Sequence, residues 1–138
     1  SEPKVPKNAF RSLFAMALDN AVEGCVREAF GALVCAHQTS AAADPRVRAA
    51  MMRVANDEAK HAAFSWELHG WLCDQLTAAQ RTRVRAAMRN AMNELRAETT
   101  KSAPASLRRF AGIPSATAAK PMLNAIERQI DADANRAS

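Results

Sequence analysis

The sequence has no tyrosine, four glycines, six prolines and three cysteines, and aromatic residues fill only 5% of its 138 positions. Each shortage excludes something. No stretch alternates β-branched or aromatic residues with polar ones, so strands are not expected. Few glycines and prolines beside abundant alanine favour long helices. Cys25, Cys35 and Cys73 are odd in number and share no repeating spacing. They make neither a disulfide framework nor a paired-cysteine metal site, and reduced thiols in a cytoplasmic protein are the expectation. No run is long and apolar enough for a membrane span. No signal peptide is visible. The chain opens Ser1-Glu2-Pro3 without Met, a start compatible with a processed form or with half of a larger protein.

What is present is enough hydrophobic material for one domain over 1–138. Pro3 and Pro6 mark residues 1–7 as an extended lead-in. A helix is predicted from Asn8 to about Gln38, with Phe10, Phe14, Leu18, Ala21, Cys25, Ala29 and Ala32 at helical spacing. Asp44-Pro45 starts a second helix, Asp as cap and Pro in the first turn, running to about Gln75. The short loop between them makes 8–75 an antiparallel hairpin. Thr77 and Gln80 fit a capping box for a third helix to about Thr100. Residues 101–117 read as a linker with one turn near Leu107–Phe110. A fourth helix is predicted over 118–133, with Pro121 in its first turn and residues 134–138 fraying. The fold class is therefore all-α: a long hairpin plus two further helices over 77–138.

The net charge is +5. The third helix carries Arg81, Arg83, Arg85, Arg89 and Arg96 against Glu94 and Glu98. A row of cations can follow phosphates, but aromatic residues to stack on bases are nearly absent there. A solvated basic face is the expectation and nucleic acid is not an expected partner.

The second helix contains Asn56-Asp57-Glu58-Ala59-Lys60-His61. Glu58 and His61 lie one turn apart on one face, so both reach a single metal ion. They share that face with Val54, Ala62 and Ser65, where an unpartnered carboxylate is costly. Facing helices build dinuclear sites from such carboxylates and imidazoles. The first helix offers Glu23 and Glu28. Rotation at ~100° per residue favours Glu28, which then shares the side of Cys25, Ala21 and Ala32. Both remain candidates. His37 and His69 read as capping or boundary residues, Cys25 as a small core residue, and Trp66 and Trp71 as core or interface aromatics.

The segments Glu23-Gly-Cys-Val-Arg-Glu28, Asp44-Pro-Arg-Val-Arg-Ala and Asn56-Asp-Glu58-Ala-Lys-His61-Ala-Ala-Phe-Ser-Trp66 resemble the second half of bacterial ferritin-like proteins of the di-iron carboxylate class. The resemblance covers about residues 20–75. It implies a ferritin-like helical bundle, iron (or Mn or Zn) as cofactor, a small-molecule oxidant and di-iron oxidoreductase or iron-oxidising activity. It gives Glu23 the lone carboxylate role, beside Glu58 and His61, with Glu28 as an outer or alternative ligand. That family carries its Glu…Glu-x-x-His pattern twice, and this chain carries it once. The resemblance therefore implies a homodimer or a complementary ferritin-like half. The alternative is a non-catalytic helical interaction module with a degenerate site.

Overall fold

A computed structural model of the chain describes residues 11–136. They form five helices, and no strand occurs among the described residues. The first, α1, is one continuous rod over 13–41 in three windings: α-helical Leu13–Asp19, π-helical Asn20–Glu28 and α-helical Ala29–Ala41. Ser12 caps its start, its hydroxyl accepting from the Ala15 N–H at 3.1 Å. The rod therefore begins after Ser12; Asn8 and the lead-in at 1–7 lie outside the described residues.

Helix α2 spans Pro45–Asp74. Asp44 takes the Arg46 and Val47 N–H groups on its carboxylate, and Pro45 opens the helix. Helix α3 spans Ala78–Glu98 behind a complete capping box of Thr77 and Gln80. The linker holds a seven-residue helix, α4, Ala105–Ala111. It ends on Gly112, whose φ of 69° is left-handed and whose missing Cβ would lie 2.5 Å from the Ala42 nitrogen. Ala43 N–H donates to the Arg109 carbonyl and Gln38 Nε2 to the Ala111 carbonyl, each at 2.9 Å. These bonds fasten α4 to the turn of the hairpin.

Helix α5 spans Ala116–Arg136, longer at both ends than the pattern indicates. The Ser115 hydroxyl accepts from the Ala118 N–H, which moves the start back two residues and leaves Pro121 inside the helix rather than in its first turn. Proline has no N–H, so the bond it would make to the Thr117 carbonyl is absent. Helical winding continues past Ala134 to Arg136, with Asp133 tied to α2 and Arg136 favourably in the last turn; residues 137–138 lie outside the described residues.

The core gathers around α1. Ala17, Ala21, Cys25 and Val26 meet Leu72 of α2, Val84, Met88, Met92 and Leu95 of α3, and Leu123, Ile126 and Ile130 of α5. Arg27 bridges to Glu94 and Glu98 on α3. Three arginines of α3 bond within the chain: Arg89 with Asp131, Arg96 with Glu127 and Asn124, and Arg81 on the Leu76 carbonyl. Arg83 lies over the Phe14 ring, 4.9 Å from its centre.

Helix α2 is unevenly covered. Its buried residues are Ser65, His69 and Leu72, all in the half remote from the turn. The half near the turn packs on α1 along one edge and leaves the rest open. No helix among the described residues is long and apolar enough to cross a membrane.

Candidate functional site

Two histidines of α2 pair with carboxylates, one on each side of this division. His61 Nδ1 lies 3.9 Å from Glu58 Oε1, with His61 64% and Glu58 31% exposed. Both belong to one uninterrupted helix, so the turn-apart geometry read from the sequence holds. The pair is in ion-pair range but too long for a hydrogen bond. The inward side of α2 is centred between Ser65 and His69, which leaves His61 at its open edge and Glu58 half-buried.

The hairpin does not gather the other carboxylates around this pair. Glu23 and Glu28 are both exposed. The rotation that turns Glu28 inward assumes α-helical winding throughout. Residues 20–28 instead wind as a π-helix, in which each residue turns through a smaller angle. The side chain of Glu28 consequently emerges at the surface. The level differs as well. Ser65 lies against Gly24 and Cys25: its carbonyl accepts from Asn20 Nδ2 at 2.9 Å and from Cys25 Sγ at 3.4 Å. Glu58, two turns nearer the loop, stands by Cys35, whose thiol is pushed up by burial and then by the Glu58 charge. Among the described residues no group of three or more His, Cys, Asp or Glu side chains is placed to hold a metal ion. Metal bound at Glu58 and His61 therefore requires donors from outside this arrangement.

The second pair is buried. His69 Nε2 donates to Asp133 Oδ2 at 2.9 Å and joins α2 to α5; His69 is 2% exposed and Asp133 21%. His69 is thus a core residue, not a boundary one. Trp66 meets its ring edge-on, centroids 5.4 Å apart. Beside it opens a cleft of about 750 Å³, whose lining includes Trp66, Cys73, Arg81, Arg85, Asp133 and Arg136.

Cys73, His69 and Asp133 have the composition of a nucleophile, base and orienting carboxylate. Their geometry does not suit that work. Cys73 Sγ is 3.7 Å from both ring nitrogens of His69, so it lies beside the ring and not along either lone pair. Burial and then the Asp133 charge push its thiol up, with Arg85 and Arg81 acting the other way. Activated cysteines are pushed down. The trio ties helices together.

Asp133 was missed in the sequence although a signal exists. It extends the stripe of Leu123, Ile126 and Ile130 on α5, and an acid on an apolar stripe needs a buried partner. Compared with known proteins, the chain matches no family model, no curated protein and no solved structure.

Proposed function

We propose that this chain is a ferritin-like metal-binding protein in which Glu58 and His61 of α2 form half of a dinuclear centre. The remaining donors come from a second copy or a complementary half-bundle. One observation carries the reading: Glu58 is a half-buried carboxylate whose only ion-pair neighbour among the described residues is His61. A carboxylate oxygen beside an imidazole suits iron, manganese or zinc, and a small side-chain rotation lets both donors reach one ion. The antiparallel hairpin of α1 and α2 supports the ferritin-like assignment.

In this reading Glu58 would offer carboxylate oxygens and His61 an imidazole nitrogen to the metal. Within one chain neither Glu23 nor Glu28 is gathered at the pair, so either would supply a further oxygen only from the second copy. Bound iron would support oxygen- or peroxide-dependent oxidation. A second reading, a helical interaction module without metal, is favoured by the scatter of the four candidate ligands.

Elemental analysis decides between them. The full chain is incubated with Fe(II), Mn(II) or Zn(II), desalted and compared with the Glu58→Ala/His61→Ala variant. Metal in the wild type and none in the variant is expected. Equal metal in both would show that the ligands lie elsewhere, and metal in neither would leave the interaction module. Separate Glu23→Ala and Glu28→Ala variants then identify the third ligand.

A further inference from the structure

The open side of α2 carries a regular seam. Val47, Ala50, Val54, Asp57, His61, Phe64, Leu68 and Trp71 follow one another at alternating steps of three and four residues. That is the a/d pattern of a coiled coil, a seam one helix offers to another. All eight are exposed or half-buried, with Phe64 62% and Trp71 55% exposed; Leu68, at the seam's edge, also packs against the chain's own core. Tryptophan and phenylalanine side chains left this open on one stripe mark a contact surface.

We infer that α2 pairs antiparallel with α2 of a second copy of this chain, about a two-fold axis that crosses the seam between Asp57 and His61, at the level of Ala59. In an isologous contact each residue meets the one equally far from the axis on the other side. The resulting layers are Asp57 with His61, Val54 with Phe64, Ala50 with Leu68 and Val47 with Trp71. Every large apolar side chain meets a small one, and each acid meets an imidazole. A parallel pair in register would instead stack Asp57 on Asp57, His61 on His61 and Trp71 on Trp71.

The flanking charges select the same direction. Along one edge of the seam run Arg46, Arg53, Lys60, Glu67 and Asp74. This column is basic near the start of the helix and acidic near its end. Antiparallel pairing brings Arg53 to Glu67, and Arg46, which pairs with Asp44 in its own chain, towards Asp74 of the second copy; within this column only Lys60 stands opposite its own kind. Such flanking pairs set orientation more than affinity.

The pairing deepens the metal reading by naming the partner. Glu58 lies one residue from the axis, so two copies of Glu58 and of His61 converge there. The His61 Nδ1 faces Glu58 in its own chain, which leaves Nε2 for Asp57 of the second copy. An outer carboxylate of this kind commonly orients a metal-bound histidine.

The test is sedimentation of the full chain in reducing buffer with chelator, so that metal plays no part. A dimer is expected. Phe64→Glu, a change at an exposed position, should retain the helical circular dichroism and weaken association about tenfold or more. Arg53→Glu should weaken it less, and Arg53→Glu/Glu67→Arg should restore it. A metal-free wild type that stays monomeric overturns the pairing, as does a dimer indifferent to Phe64→Glu. Failure of the charge swap to restore association overturns the antiparallel direction. A dimer that takes up no metal supports the pairing and removes the metal reading alone; a monomer that holds metal does the reverse.

Discussion

His69–Asp133 and Glu58–His61 are chemically alike and differ in what surrounds them. The first joins residues 64 positions apart, closes to 2.9 Å and is shut from water on the histidine side. The second joins two residues of one helical turn at 3.9 Å, and its histidine is open. A buried cross-helix pair fixes how α5 lies on α2, and removing one member leaves the other unsatisfied. A pair within one turn constrains no tertiary contact, and surface pairs contribute little to stability. The same residue types therefore serve the fold on the closed side and remain available for binding on the open side.

The largest expected effect separates these roles. His69→Ala loses a buried ring and leaves Asp133 without its partner, a destabilisation of about 2–4 kcal/mol. Asp133→Asn keeps the shape and loses the charge-assisted bond, at about 1–2 kcal/mol. His61→Ala and Glu58→Ala should each stay within about 0.5 kcal/mol of wild type. Urea unfolding of the four variants measures the contrast, and equal losses in both pairs would erase it.

The two helical glycines of α1 sharpen the same division. A Cβ on Gly24 would stand 2.3 Å from Ser65 Oγ and 2.7 Å from Ser65 Cβ, whereas nothing lies within 4 Å of one on Gly31. Gly24→Ala should destabilise by about 1–3 kcal/mol through overpacking. Gly31→Ala should stabilise by about 0.5–1 kcal/mol through helix propensity. Thermal melts that moved in the same direction would place α2 further from α1 than described.

A further contrast appears only at high pH. Burial, and then the charge of Asp133, push the Cys25 thiol up to about 12. A raised thiol binds more protons folded than unfolded, so its contribution is complete below about pH 9. It is lost as the pH rises towards 12. Stability should fall above pH 9, less steeply in Cys25→Ala, and the wild-type Cys25 should resist alkylation until the chain unfolds. Ready alkylation of Cys25 in the folded protein would contradict its burial.

How much of this was legible in the sequence depended on the range of the interactions involved. The hairpin, the start of α2 and the start of α3 were readable because Asp44-Pro45 and Thr77…Gln80 are local devices acting within one turn. The apolar spacing of α1 and α5 was readable for the same reason. The short α4 reads as a single turn in the sequence, since its stop at Gly112 is set by the approach of Ala42 from another part of the chain. The π-helical stretch carries no local signature; it accompanies the close approach of Gly24 to Ser65, and with it went the inward orientation expected of Glu28. The Glu58–His61 spacing was visible because a helix supplies it unaided. The His69–Asp133 bond was not, because it depends on how two helices distant in sequence are packed.

If the open pair binds metal and the buried pair does not, added metal should stabilise the fold through Glu58 and His61 alone. Thermal melting of the metal-free chain with and without excess Zn(II) tests it most directly, because a ligand held only by the folded state raises Tm. A rise is expected in the wild type, a rise of similar size in Asp133→Asn from its lower starting point, and none in Glu58→Ala/His61→Ala. An equal rise in the double variant, or a rise lost only in Asp133→Asn, would contradict it.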